Sequence, residues 1–296
     1  MLICAELCTF VMHEKKHFMK TKFILACLIV LTLACTPHTH DTLIILHTND
    51  THSQVEPLSV GAKNGNMAGY VRRYALIDSL RNTETAPLLL VDAGDFSQGT
   101  PYYNFYHGRV EVQAMNRMHY DAVTLGNHEF DNGIDTLAAI LQNATFPVVC
   151  CNYDVSKTAL NSLVHPYAIL NKQGLKIGVT GVGVNPDGLI YDKNFEGIIY
   201  HEPYKAVNDV AAFLKEHEKC DIVVCLSHLG AEYENTDIPS DVQLVKQSQH
   251  IDAVIGGHTH TYMQKKVANL LGDSIPVVQV GKSGAYLGKL TLHMED

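Results

Sequence analysis

Residues 125–133 read LGNHEFDNG and stand between an apolar run, DAVTLG (121–126), and a run with helical spacing, DTLAAILQNATF (135–146). The stretch is therefore the turn at which a predicted strand is followed by a predicted helix. It holds an amide, an imidazole and two carboxylates, on Asn127, His128, Glu129 and Asp131. Such turns are usually built from Gly, Ser or Asp alone, so the crowding of ligand-forming side chains points to a functional loop.

The same order of strand, loop and helix recurs along the chain. Runs of β-branched and apolar residues, typical of strands buried on both faces, occupy 42–48, 87–95, 121–127, 146–152, 175–183, 221–230, 252–260, 275–284 and 285–292. Helical spacing is found at 67–80, 110–118, 135–143 and 203–219. This alternation predicts an α/β architecture with sheets covered by helices, in one domain from residue 41 to 296. In the first helix we expect the core side to carry Val71, Ala75, Leu76, Ile77 and Leu80.

Five of the predicted strands end in polar residues. Their endings are HTNDTH (47–52), DAGD (92–95), LGNHEFD (125–131), LSHLG (226–230) and GGHTH (256–260). One such ending would be explained by turn capping. Five such endings are not, because a purely structural protein has no reason to place nitrogen and oxygen ligands at the ends of so many strands. Since ligands of α/β proteins bind beyond the carboxyl ends of the strands, these endings predict one shared site.

The donor types narrow the chemistry of that site. Histidine, aspartate and an asparagine carbonyl, without a thiolate, suit Zn²⁺, Mn²⁺ or Fe. Seven donors exceed the need of one ion and suit two ions that share a bridging carboxylate, an arrangement used in phosphoryl chemistry. The seven candidate ligands are Asp50, His52, Asp95, Asn127, His228, His258 and His260.

At this point the sequence resembles the calcineurin-like metallophosphatases, and within them the 5′-nucleotidase family that includes the UDP-sugar hydrolases. The matching blocks are ILHTNDTHS (45–53), VDAGDFSQGTP (91–101), TLGNHEFDNG (124–133), LSHLG and GGHTH. They follow the family's order over most of the chain. The resemblance implies a two-sheet β-sandwich flanked by helices (four-layer αββα), two divalent metal ions (Zn, Mn or similar), and hydrolysis of phosphate monoesters of nucleotides.

The resemblance also implies a role for each matched residue. One metal would be held by Asp50, His52 and His260, the other by Asn127, His228 and His258, and Asp95 would bridge them. Family members often carry Gln at the position of His260, where histidine is a competent replacement.

The opening turn then divides into several roles. His128 resembles the family's catalytic histidine, with Asp131 orienting its ring. Asp131 is also a candidate cap for the following helix. No role follows for Glu129 beyond a salt bridge or a turn hydrogen bond.

Members of the resembled family normally carry a C-terminal domain that holds the nucleoside, and one alternative is that a separate protein supplies it here. The aromatics of TPYYNFYHG (100–108) are expected to pack against the following helix, the alternative being that they line the cleft. Other activities stay open: a cyclic-nucleotide or nucleotide-sugar phosphodiesterase, a sulfur-ester hydrolase, or a catalytically silent surface-binding lipoprotein.

The charge balance limits the class of partner. A formal net charge of −9 argues against a nucleic-acid polymer, whose phosphates are bound by excess Lys and Arg. A small phosphate ester stays compatible, because bound metal ions can supply local positive charge. The cysteines of the predicted domain, with no CxxC spacing, are expected to be buried small residues, and a Cys220–Cys225 disulfide stays open. They are Cys150, Cys151, Cys220 and Cys225.

The N-terminal segment is predicted to be a leader. Residues 1–18 are interpreted as a mis-called extension, with translation starting at Met19. Residues 19–34 join a short basic region to the apolar run FILACLIVLTLA, which is too short to span a bilayer comfortably and fits a signal peptide.

The end of this leader resembles the lipobox of bacterial lipoproteins. Cys35 is therefore the predicted lipidation site and 35–40 a tether, which makes the protein an exported lipoprotein, periplasmic or anchored to the outer membrane. Lipidation at Cys27, plain signal-peptidase cleavage and a short uncleaved anchor are the alternatives.

Overall fold

The computed structural model describes residues 41–294. The predicted extension (1–18), signal peptide (19–34), lipidation site Cys35 and tether (35–40) lie outside the described residues and stay predictions. In the part that is described, no helix has both the length and the apolar character needed to cross a membrane.

The described residues contain fourteen strands and six α-helices. The strands are β1 (Thr42–Thr48), β2 (Leu88–Asp92), β3 (Ala122–Thr124), β4 (Val148–Val149), β5 (Tyr153–Asp154), β6 (Val164–His165), β7 (Tyr167–Lys172), β8 (Leu175–Val182), β9 (Ile199–Tyr200), β10 (Ile222–Ser227), β11 (Ala253–Gly256), β12 (Tyr262–Ala268), β13 (Ser274–Val280) and β14 (Gly288–His293). The helices are α1 (Tyr70–Thr83), α2 (Pro101–Tyr106), α3 (Arg109–Met118), α4 (Ile134–Leu141), α5 (Pro203–Ala212) and α6 (Asp241–Lys246), and short 3₁₀ or π turns span His128–Phe130, Asp192–Asn194 and Phe213–His217.

Two six-stranded sheets contain most of these strands. The first has the order β14-β1-β2-β3-β4-β6, and the second β12-β13-β11-β10-β8-β7. Within each sheet the inner strands run parallel, and antiparallel pairing is confined to the edge strands β14, β12 and β7. Parallel inner strands place their carboxyl ends at the same side of each sheet.

The alternation of side chains along the strands shows how the layers stack. In β1, Leu43 and Ile45 belong to the cluster between the two sheets, whereas Ile44 and Leu46 face the cluster of the helical layer. In β10, Val224 likewise faces the other sheet and Val223 faces α5 and its neighbours. Both faces of each central strand are therefore buried, as their continuous apolar runs predicted. The layers are helix, sheet, sheet and helix, and the predicted two-sheet α/β fold is confirmed.

Several elements were not predicted from the sequence. The edge strands β7 and β12 have one-sided burial and many polar residues, so they lack the continuous apolar run that reveals an inner strand. The helices α2 and α6 are six residues long, which is too short for a helical period to be recognised.

The predicted core side of α1 was right for Ile77 and for the partly buried Leu80, and wrong for the exposed residues Val71, Ala75 and Leu76. Val71 is 83% exposed and Leu76 48% exposed, while Tyr70, Arg73 and Ile77 are buried. The guanidinium of Arg73 lies 5.1 Å from the centre of the Tyr70 ring, so this helix buries a polar and aromatic face that an apolar count cannot find. The cysteine prediction fared better, since Cys150, Cys220 and Cys225 are buried free thiols and Cys151 is partly buried.

Candidate metal centre

The five polar strand endings meet at one edge of the sandwich. Strands β1, β2 and β3 bring their endings from the first sheet, and β10 and β11 bring theirs from the second. Side chains of both sheets contact one another there, and two groups of potential ligands result. All seven predicted ligands lie in this region.

The first group joins the β1 ending to the β11 ending. Asp50, His52 and His260 offer ligand atoms that lie within 4.8 Å of one another. The two Nε2 atoms of His52 and His260 are 2.9 Å apart, and Nε2 of His260 lies 3.5 Å from Oδ1 of Asp50. Three lone-pair donors therefore converge on one small space.

The second group joins β2, β10 and β11. It contains Asp95, His228 and His258, with Nε2 of His228 lying 3.1 Å from Oδ2 of Asp95. The Nδ1 atom of His228 is 2.7 Å from the carbonyl oxygen of Ala93. Because a carbonyl only accepts, Nδ1 donates and Nε2 is directed into the site. Asn127 extends this group, since its Oδ1 lies 3.0 Å from Nδ1 of His258.

The two groups form one cluster. The backbone N–H of His258 donates to both carboxylate oxygens of Asp50, at 3.0 Å each, and Nε2 of His228 lies 4.0 Å from Oδ1 of Asp50. Ligands held about 2.1 Å from an ion are separated from each other by roughly 3.0–3.4 Å, close to the spacings of 2.9, 3.5 and 3.1 Å given above for pairs within the two groups. Nε2 of His228 is also buried without a well-directed hydrogen bond. The donor set therefore fits two metal ions.

Burial prepares three of the histidines for coordination. It lowers the pKa of His52 and of His258 to about 4. Burial also lowers the pKa of His260, with the Lys282 ammonium acting in the same direction. Neutral imidazole is the form that binds a metal, so at neutral pH these three rings are already in the required state.

The fourth imidazole behaves differently because carboxylates surround it. Burial disfavours a charge on His228, but Asp95 and Asp50 overcome this and raise its pKa to about 10. Burial opposes ionisation of Asp95 as well, yet the His228 cation holds the pKa of Asp95 below its usual range. A proton on His228 thus neutralises the carboxylates, and a cation that binds there must displace it.

The backbone of the cluster is unusual. Of the seven predicted ligands, five have a positive φ between 45° and 73°: Asp50, His52, Asp95, His258 and His260. Non-glycine residues rarely adopt this conformation, and clusters of such residues are typical of functional sites, where the rest of the fold maintains the strain. A side chain at Gly126 is excluded too, because its Cβ would lie 2.2 Å from Oδ1 of Asp95.

Glu129, left without a specific role by the sequence, holds the site together. Its buried carboxylate accepts hydrogen bonds from the backbone N–H groups of Asp95 (2.9 Å), Ser97 (2.9 Å) and Gly126 (2.6 Å). These bonds tie the β2 ending to the β3 ending. Burial raises the pKa of Glu129 to about 7. The expected turn hydrogen bond was correct in kind, but it spans two loops.

Replacing Glu129 by glutamine should loosen this attachment. The amide group of glutamine would face a backbone N–H that needs an acceptor, so we expect the free energy of unfolding to fall by about 2 kcal/mol and metal affinity to fall roughly 10- to 100-fold. Urea unfolding and metal titration measure the two effects. The exposed Glu234→Gln is the matched control, and wild-type metal affinity in Glu129→Gln would contradict the assignment.

Two further residues position the ligands and were missed by the sequence analysis. Asn49 donates to Oδ2 of Asp50 (2.5 Å) and to the carbonyl of Gly281 (2.8 Å), which links the two sheets. Asp92 accepts from Thr48 Oγ1 (2.6 Å) on the neighbouring strand. Their only signal in the sequence is that each lies in a block already chosen for its ligands.

His128 and Asp131 form the predicted pair beside the cluster. Nδ1 of His128 lies 2.9 Å from Oδ2 of Asp131, and both side chains are about one-third exposed. The bond to Asp131 raises the pKa of His128. The His128 ring lies 5.5 Å from that of His52, measured between centres. The capping role considered for Asp131 was wrong, since α4 begins at Ile134 after Gly133.

The aromatic stretch after β2 does not pack as expected. Only Tyr103 is buried, whereas Phe105 is 77% and Tyr106 51% exposed. Tyr102 is partly exposed and donates to Oε1 of Glu56. Because α2 is a short surface helix, one of its sides has no partner within the described residues.

Comparisons with known proteins agree with this geometry. The family model of the calcineurin-like phosphoesterases matches residues 43–262. The chain is 31% identical over 283 residues to the snake venom 5′-nucleotidase of Crotalus adamanteus, covering 86% of this chain and 45% of that protein. It is 30% identical over 287 residues to the trifunctional nucleotide phosphoesterase protein YfkN of Bacillus subtilis, covering 86% of this chain and 18% of that protein.

A solved structure gives the same result. The 5′-nucleotidase precursor of Thermus thermophilus superposes with a TM-score of 0.78 at 32% identity, over 86% of this chain and 52% of that chain. This chain therefore spans about half the length, or less, of each of these three proteins. The family match, the shared fold and the two groups of ligands together show that the chain belongs to the calcineurin-like phosphoesterase family.

Proposed function

We propose that this protein is a dimetal-dependent phosphohydrolase of the 5′-nucleotidase type, acting on phosphate monoesters of nucleotides. The observation that supports the proposal most directly is the joining of the two ligand groups by Asp50 and His258. A third group, His128 with Asp131, stands next to them in a partly exposed position. Relatives named 5′-nucleotidase favour a nucleotide as the ester.

The predicted ligand set assigns each donor a place. Asp50, His52 and His260 would hold one divalent ion, and Asp95 would contact both. Asn127, His228 and His258 would hold the other ion. When bound, two such ions activate water and neutralise charge on the phosphate.

The chain's own residues supply the proton. His128, as the imidazolium, would donate from Nε2 to the leaving oxygen of the ester, because Nδ1 is occupied by Asp131. Asp131 holds the ring in one orientation and favours its protonated form, since the hydrogen bond to Asp131 raises the pKa of His128. His128 therefore donates a proton to the substrate, and Asp131 orients His128.

A phosphodiesterase is the alternative enzyme. The relative named trifunctional nucleotide phosphoesterase protein favours this alternative, because its name describes more than one activity on nucleotide esters. A cyclic nucleotide or a nucleotide sugar would be the substrate in that case.

A separate chain that binds the nucleoside is a further hypothesis, and full turnover of AMP by this protein alone would contradict it.

Turnover with defined metals tests the proposal. The protein loaded with Mn²⁺ or Zn²⁺ should release phosphate from AMP and from a generic aryl phosphate. UDP-glucose and 2′,3′-cyclic AMP are the comparison substrates, and a clear preference for either would favour the phosphodiesterase. If none of the four substrates is hydrolysed, the proposed function is wrong.

We further propose that the protein is exported and anchored through a lipid on Cys35. The basic and apolar leader supports this, as does the extracellular source of the venom relative. A palmitate analogue should label the protein in bacteria, and Cys35→Ala should remove the label. Undiminished labelling of Cys35→Ala would contradict the assignment and point to Cys27.

A further inference from the structure

A cavity of about 590 Å³ adjoins the first ligand group. His260 forms part of its wall, so the cavity opens beside the atoms that would hold a metal. The loop around residues 58–64 and the loop at 281–286 form most of the remaining wall. Its size suits a small-molecule group, and the mechanism above makes no use of it.

The second of these loops is fixed to the ligand cluster. The carbonyl of Gly281 accepts from Asn49, at 2.8 Å. The N–H of Ser283 donates to the carbonyl of Asp50, at 2.7 Å. Lys282 lies between these two anchored residues, and its position relative to the first ligand group is therefore set by the backbone.

The charged residues that line the cavity differ in sign from the net charge of the protein. The net charge is −9, yet among the described residues none that lines the cavity is an aspartate or glutamate, and two are Lys63 and Lys282. Neither lysine forms an ion pair within residues 41–294, unlike Lys172, Lys205 and Lys265. Two unpaired ammonium groups without a facing carboxylate favour an anionic ligand.

The same cavity has an aromatic wall. Tyr262 is 63% and Tyr286 40% exposed, and their rings meet edge to face with centres 5.5 Å apart. Large exposed rings can stack on the flat face of a nucleobase. The cavity thus combines the two chemistries of a phosphorylated nucleoside, a planar base and an added negative charge.

We propose that this cavity binds the leaving group of the substrate, and that Lys63 and Lys282 select leaving groups that are phosphorylated nucleosides. Tyr262 and Tyr286 contact the base, so this proposal competes with the hypothesis of a separate nucleoside-binding chain. The proposal rests on the proposed function, because the scissile phosphate must lie at the ligand cluster. Its substrates are nucleotides with two phosphate groups. In a nucleoside diphosphate the two are linked in a chain at one hydroxyl of the sugar, and in a nucleoside 3′,5′-bisphosphate they stand on two different hydroxyls.

The reaction is a hydrolysis in both cases. Water adds its oxygen to the phosphorus at the cluster, and the bond from that phosphorus to the leaving oxygen breaks. The leaving oxygen takes up a proton, and the products are inorganic phosphate and a nucleoside monophosphate. The phosphate that remains on the nucleoside is the group that the lysines would pair.

Selectivity between matched substrates tests the cavity. For the Mn²⁺-loaded protein, kcat/KM for ADP or for adenosine 3′,5′-bisphosphate should exceed that for AMP by roughly fivefold or more. Lys282→Ala should reduce this ratio about fivefold, and the exposed Lys266→Ala, outside the cavity, should leave it unchanged. The substrate that shows the larger loss identifies which arrangement of phosphates is bound.

The aromatic wall is tested separately. Tyr262→Leu should weaken binding of methylene-bridged ADP, measured by calorimetry, roughly fivefold or more. Tyr262→Phe keeps the ring and should bind like the wild-type protein. Equal binding by the leucine and phenylalanine variants would contradict the stacking role.

These results separate the two proposals. If none of AMP, the aryl phosphate, UDP-glucose and 2′,3′-cyclic AMP is hydrolysed, the proposed function fails, and binding of methylene-bridged ADP still tests the cavity. If the aryl phosphate is hydrolysed but neither two-phosphate substrate is preferred to AMP, the cavity proposal fails alone. An unchanged ratio in Lys282→Ala also overturns it.

Discussion

Replacing Asp95 by asparagine is expected to lower kcat/KM roughly 10³-fold or more and to reduce the bound metal from about two ions per chain to at most one. Asparagine has nearly the same shape and keeps one oxygen, which can still accept the hydrogen bond from the backbone N–H of His128. In the wild-type protein this bond is 2.9 Å long, to Oδ1 of Asp95. What it loses is the charge and the second carboxylate oxygen, which lies 3.1 Å from His228. The change therefore tests the bridging role rather than the fold.

Elemental analysis and steady-state kinetics measure the two effects on the same preparation. Asp209→Asn serves as the control, because that carboxylate is exposed on α5 and pairs only with Lys205 among the described residues. It should retain both ions and full activity. Two ions bound by Asp95→Asn would rule out the bridge, and near-normal turnover would show that the carboxylate is not needed.

The ligand cluster was predictable because its signal is local. Each candidate ligand follows a strand whose continuous apolar run is visible in the sequence, and parallel strands must bring such endings together. Asp50 and His258 are 208 residues apart, yet both sit at strand endings that the sequence marks. The division into two ligand groups came from the family resemblance, and only the contact between the groups needed coordinates.

The supporting residues were not predictable, because their partners are backbone groups. Glu129 binds three N–H groups in two loops, and nothing in the sequence names a backbone N–H as a partner. The α1 face was predicted only in part, for a related reason. Arg73 is buried by contact with Tyr70, whereas a count of apolar residues assigns an arginine to solvent.

The second large effect concerns His128. His128→Ala should lower kcat about 10²- to 10⁴-fold, the range for loss of a general acid, and the loss should fall on kcat more than on KM. The ring belongs to neither ligand group, so the variant should still bind about two ions. Loss of a metal in His128→Ala would instead make it a ligand, and unchanged kcat would remove its proposed role.

The pH profile separates a proton donor from a structural histidine. The active form is the imidazolium, so kcat should fall as pH rises through the pKa of His128. The hydrogen bond to Asp131 raises that pKa, and Asp131→Asn should therefore move the falling limb to lower pH, with kcat at neutral pH reduced roughly tenfold. The nearby Asp135→Asn, in the first turn of α4, should leave the limb in place. If Asp131→Asn lowers kcat without moving the limb, Asp131 positions the loop and not the proton.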